Sequence, residues 1–171
     1  MVTYRFDLKT IRYNIKQNGY IIKAQAIMIV IKNNITKETF PHPITHFLYK
    51  FYNRNSGSIN TEKAVANVIV PFLNFVLREM SERKKEFILV KGITDLRIEH
   101  ANLFLRYCVE EKENAITTLI KKEDYISKFY KYLSDQGVLK DKPVFSLLTT
   151  LRDDKINTGL SFKTPWSDKY L

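Results

Sequence analysis

Apolar positions recur along this chain with two periods, and the change of period divides it. Tyr20 to Lys32 is rich in β-branched residues and partly alternates, which predicts a strand with Lys23, Gln25 and Lys32 toward one side. Asn18-Gly19 before it and Asn33-Asn34 after it are turn signals. Thr3 to Ile15 pairs with this strand as a hairpin, and a helix over 20–32 is the competing reading. Phe40-Pro41-His42-Pro43 is then an extended connector, because each proline disfavours helix in the residue before it.

Beyond the connector the period becomes helical. Ile44, Phe47, Leu48 and Phe51 predict a first helix that stops within Asn53 to Gly57. A second opens at Asn60 or Thr61, capped by Ser58 or Asn60. Its stripe is Val65, Val68/Ile69, Phe72, Phe75/Val76 and Met80. Pro71 inside it removes one backbone bond and predicts a kink near Val68. Residues 81–86 form a charged loop, and Phe87 to Val90 reads as an extended lead-in. Thr94-Asp95 caps a third helix through Leu96, Ile98, Ala101/Asn102, Leu105 and Val109. A fourth carries Ile116, Leu119/Ile120, Ile126, Phe129/Tyr130 and Leu133, and Gly137 is its left-handed stop. Lys140 to Pro143 is a second break. Val144 to Leu151 predicts one more short helix.

The pattern therefore predicts a mainly α chain in three parts. Residues 1–42 are a small β-hairpin appendage, 43–143 a domain of four or five helices, and 144–171 a short helix and a linker or tail. Only five Gly and five Pro among 171 residues agree with long helices.

Charge adds a partner class. Formal net charge is +10, and residues 1–42 hold seven Lys/Arg against two acids. Such an excess attracts polyanions, and each neutralised phosphate releases counterions. Cys108 is the only cysteine, so an intrachain disulfide and a Cys-based zinc site are both excluded. Its apolar neighbours predict a buried, inert thiol, and a reducing cytoplasm fits. Met1 to Asp7 has no apolar leader core. The apolar run from Ala24 to Ile31 is too short to span a bilayer.

Catalytic chemistry is not legible. Five scattered glycines make no phosphate loop, and His42, His46 and His100 have no metal spacing. No Ser, His and Asp grouping stands out. No cofactor, metal or small-molecule substrate is expected.

The informative signal is a polar face on two helices. On the second helix it is Asn60, Lys63, Asn67, Asn74 and Arg78. On the fourth it is Thr118, Lys121, Tyr125, Lys128 and Tyr132, flanked by Thr117, Lys122 and Lys131. Residues three or four apart share a helix face. Lys and Arg suit phosphate, whereas Thr, Asn and Tyr donate to phosphate oxygens or base edges. The alternative is a plain solvated surface.

The order of these elements resembles the core-binding, SAM-like domain of tyrosine recombinases, the phage-integrase family, over about residues 43–143. The residues that carry it are Phe47-Leu48-Tyr49-Lys50-Phe51, Ser58 to Thr61 and Pro71 to Val76. Ile93-Thr94-Asp95-Leu96 and Phe104-Leu105 follow, then Thr117, Lys121-Lys122, Phe129-Tyr130, Leu133, Gly137 and Pro143. Val65-Ala66 and Ala115-Ile116 depart from the family pattern. The resemblance implies an orthogonal helical bundle forming half of a clamp on double-stranded DNA, with the second and fourth helices in the major groove. The expected DNA-contacting residues are Asn60, Thr61, Lys63, Asn67, Thr117, Thr118, Lys121, Lys122, Tyr125 and Lys128. It also implies self-association of the full-length protein on DNA. The family's catalytic Arg, His-x-x-Arg and Tyr are not expected here, since none of the three histidines is followed by Arg at the third position. The chain should bind DNA without cutting it. The hairpin either packs on the helices or is an arm-type DNA-binding element. The competing functions are a helical protein-interaction module, a non-catalytic DNA-binding regulator and, least supported, a stand-alone enzyme.

Overall fold

The computed structural model describes residues 3–53, 59–112 and 114–144. Antiparallel strands β1 (Tyr4–Gln17) and β2 (Tyr20–Asn33) form a hairpin of fourteen residues a side. Asn18 (φ 49°) and Gly19 (φ 81°) join them. Two left-handed residues in a row match the twist of a tight hairpin, and Asn and Gly tolerate that backbone best. The helix alternative over 20–32 is thus excluded, and the appendage is larger than its sequence suggests. A short β3 (Thr39–Pro41) pairs with the end of β2 and gives the order β1-β2-β3. Lys32 lies on the opposite face from Lys23 and Gln25, since strand side chains alternate strictly.

Next come a short α1 (Thr45–Leu48) and a π turn (Tyr49–Asn53) in place of the single regular helix predicted there. Helix α2 (Ile59–Ser81) follows and is continuous through Pro71. The carbonyl of Asn67, four residues back, loses its helical donor, but Asn67 and Pro71 both lie on the exposed side. Ser58, one of the two caps proposed for α2, lies outside the described residues. The helix is long and apolar enough to cross a membrane by length and composition. Here its apolar side chains form a core instead: Val65, Ala66, Ile69 and Phe72 are fully buried.

The hairpin is tied to these helices by side chains that plug its edges. Asn74 Oδ1 accepts the Phe6 N–H at 2.8 Å, and Asn74 Nδ2 donates to the Phe6 carbonyl at 2.9 Å. Glu62, 1% exposed, accepts the Ile27 N–H at 3.1 Å. The Thr45 hydroxyl accepts from the Ile29 N–H and donates to the Ile29 carbonyl. Phe6, Ile27 and Ile29 are buried.

Contacts divide the chain after Glu82 into two compact units. The first holds the sheet, α1 and α2. In the second, 3₁₀ turns (Lys85–Phe87 and Ile93–Asp95) precede α3 (Ile98–Glu110) and α4 (Ile116–Asp135). Phe87 to Val90 is therefore a turn that buries Phe87 and Val90, not an extended lead-in. Thr94-Asp95 does not cap α3. Asp95 Oδ2 accepts the Lys91 N–H at 3.0 Å, and its other oxygen meets the Lys140 ammonium. Capping falls to His100, whose Nδ1 accepts the Arg97 N–H at 3.0 Å. Gly137 (φ 65°) ends α4 as predicted. Gly137 N–H bonds Ser134 O and Val138 N–H bonds Leu133 O, the paired bonds of a Schellman stop. The chain is thus helix-leaning with a three-stranded antiparallel sheet. The helix expected over 144–151, apart from Val144, and the tail over 152–171 lie outside the described residues.

Candidate functional site

Helix α4 divides cleanly by face. Ile126, Phe129, Tyr130 and Leu133 are buried, and Tyr130 donates its hydroxyl to the Arg97 carbonyl at 2.7 Å. Burial pushes the Tyr130 phenol well above its ordinary range. On the other side Thr117, Thr118, Lys121 and Lys128 are exposed and Tyr125 is half-buried. At about 100° per residue these five fall within roughly a third of the helix circumference. The Lys128 ammonium is held 2.6 Å from Asp124 Oδ2, both side chains half exposed. Such a pair is worth only about 0.3–0.5 kcal/mol, so a phosphate can take its place.

Two residues of the predicted face do not belong to it. Lys122 turns toward the core, with its Nζ 3.3 Å from Cys108 Sγ and 5.6 Å from the centre of the Phe104 ring. Its helical angle places it between Phe129 and Leu133 on the buried face, where the long stem covers apolar surface. Tyr132 is buried, which closes the C-terminal end of the strip. Cys108 is buried as expected, and burial raises its thiol above the ordinary value against the opposing pull of Lys122.

On α2 the open strip is shorter than predicted. Asn60, Lys63 and Asn67 are exposed along one line with Ala64 and Pro71, whereas Thr61 is half-buried and off that line. The strip ends at Asn74, which is spent on the hairpin. Arg78 grips Glu79 through two donors and lies 5.2 Å over Phe75. Asn60, Thr61, Lys63 and Asn67 belong to the first unit, and the six candidates of α4 to the second.

Sequence reasoning gave the hairpin cations too little weight. Residues 8–37 contain six Lys/Arg and no acid. Among these, Lys9, Arg12, Lys16 and Lys23 are exposed, and none is in an ion pair among the described residues. The missing acids were the available signal.

A cleft of about 430 Å³ in the second unit is lined by Glu86, Asp95, Arg97, His100 and Lys140 among others. Four of its charges are paired: Lys140 with Asp95, and Arg97, whose Nε lies 2.9 Å from Asp141. His100 is buried and its pKa is lowered by that burial. Its ring is used at both nitrogens, Nδ1 accepting from Arg97 N–H and Nε2 donating to Glu86 O at 3.1 Å. This is the chemistry of a structural histidine. Among the described residues no cluster of three His, Cys, Asp or Glu is placed to hold a metal ion.

No protein-family model matches the chain, and neither a curated protein nor a solved structure does.

Proposed function

We propose that this chain binds duplex DNA as the core-binding, SAM-like part of a tyrosine recombinase, with catalysis supplied from elsewhere in a longer cytoplasmic protein. The exposed strip of α4 carries the reading. Thr117, Thr118, Lys121, Tyr125 and Lys128 offer hydroxyl donors and ammonium groups along one line, backed by a packed core that holds the helix rigid. Lysines on such a line neutralise phosphates, while the Thr and Tyr hydroxyls reach phosphate oxygens or base edges. The Asn60, Lys63 and Asn67 strip of α2 offers the same chemistry from the first unit. The net charge of +10 supplies the long-range attraction.

The test is anisotropy of a labelled duplex titrated with the 171-residue chain at low salt. Binding is expected, and Lys121→Ala and Lys128→Ala should each weaken it about three- to tenfold. Absence of binding at low salt refutes the proposal.

A further inference from the structure

The hairpin extends past the side chains that hold its edges. Gln17 and Tyr20 flank the two-residue turn and form a hydrogen-bonded pair, so the even residues of β1 turn their amides outward, away from β2. Near α2 these outward groups are taken: Asn74 bonds both groups of Phe6, and Asp7 Oδ1 accepts the Leu8 N–H at 2.9 Å. Beyond Leu8 the edge is open. Among the described residues, no protein group meets the outward backbone of Thr10, Arg12, Asn14 or Lys16. Side chains along this open edge alternate in character. Arg12, Asn14 and Lys16 are exposed on the α2 side of the sheet. Ile11, Tyr13 and Ile15 lie on the reverse side, where Tyr13 and Ile15 are 38% and 42% exposed. No acid occurs between Asp7 and Glu38.

We propose that the outer edge of β1, from Thr10 to Lys16, takes an extended segment of a partner protein in which acidic and apolar residues alternate. An edge with unpaired amides is a template for a further strand, and main-chain bonds supply the attachment. A strand added here sets each of its side chains beside one of β1 on the same side of the sheet. Acids then lie beside Arg12 and Lys16, and apolar residues beside Ile11, Tyr13 and Ile15. Other occupants use less of what the edge offers. A second copy of β1 sets Arg12 and Lys16 against the same cations. A lipid surface leaves the edge amides unpaired. A duplex uses the cations and leaves the apolar side bare. Charged residues on an edge also keep out unwanted strands, and here they admit strands of opposite charge alone. The edge is only about 20 Å long by strand rise, so the contact is weak, on the order of tens to hundreds of micromolar. None of these residues belongs to the α4 strip that carries the DNA reading, so either can fail alone.

The probe is a short fluorescein-labelled peptide of alternating Glu and Val, titrated by anisotropy with the full 171-residue chain. One control peptide has the same composition with all Glu before all Val, and another has Lys in place of Glu. The alternating acidic peptide is expected to bind about tenfold more tightly than either control. Arg12→Glu combined with Lys16→Glu should turn the preference toward the Lys peptide; both side chains are exposed, so the fold is kept. Asn14→Pro removes one outward N–H and spares the ladder to β2, which is the position where an edge strand tolerates proline. It should weaken the peptide about three- to tenfold with thermal melting unchanged. Where Asn14→Pro lowers the melting temperature, the charge reversal decides. Equal affinity for the alternating and blocked peptides would overturn the proposal, since it would reduce the edge to a plain cationic patch. So would full affinity in a stably folded Asn14→Pro chain, no inversion on charge reversal, or no peptide binding while anionic vesicles or a duplex bind through Arg12 and Lys16.

Discussion

Glu62 and Asn74 show how much of this fold rests on single polar side chains. Each reaches from α2 to a strand-edge amide of the hairpin, Ile27 and Phe6 respectively. Leaving a buried donor unpaired costs about 1–3 kcal/mol. Thermal melting of Glu62→Leu should therefore show a loss of that size, while Glu62→Gln, which keeps an acceptor, should lose less. No periodicity reveals these pairs. Helical spacing places Asn74 on the same polar stripe as Lys63 and Asn67, and only the long-range pairing with Phe6 removes it from the open strip.

His100 makes a second prediction at this scale. Its Nδ1 must stay unprotonated to accept the Arg97 N–H, and burial lowers its pKa below the ordinary 6.5. Above that value both folded and unfolded chains hold the ring neutral. As pH falls below it the unfolded chain takes the proton first, so folded stability drops until the folded ring protonates as well. His42, lowered by burial and accepting the Ile44 N–H on Nδ1, acts in the same direction. Melting temperature should fall between pH 7 and pH 5. His100→Gln, which retains an acceptor at the third helical position, should show a shallower fall; an unchanged slope would contradict this role.

At the scale of elements, the hydrophobic pattern made the long pieces legible. The hairpin, its Asn18-Gly19 turn, α2, α4 and the Gly137 stop all follow from local periodicity and turn chemistry. Short pieces escaped for a physical reason. Phe87 to Val90 and Ile93 to Asp95 are turns held by distant partners such as Lys140, whose N–H bonds the Thr94 carbonyl. A stretch of three or four residues has no period to read. The π turn after α1 is invisible for the same reason, since a helical apolar spacing does not separate it from a regular turn. The candidate site was legible as a face, and blurred at the edges of that face. Lys122, one position on from Lys121, covers Phe104, and Tyr132 is buried. The two lysines should therefore behave differently. Lys122→Ala is expected to lower the melting temperature with little change in duplex affinity, whereas Lys121→Ala is expected to do the reverse. Paired melting and anisotropy measurements on the two variants check this.

Across the whole molecule, the charge excess is spread unevenly. Residues 1–82 hold eleven Lys/Arg against five acids, and the acid-free run from residue 8 to 37 supplies much of that difference. Each unit thus offers a basic surface: the α2 strip and the hairpin cations in the first, the α4 strip in the second. Binding through such surfaces is dominated by counterion release, so its signature is the salt slope more than the affinity at one condition. The most direct measurement is that slope, log affinity for a duplex against log salt concentration, for the native chain and for Lys121→Ala. A steep negative slope is predicted for the native chain, and one shallower by about 0.9 for the variant, the loss of a single phosphate contact. A flat native slope, or a Lys121→Ala slope and affinity identical to the native values, would contradict the account.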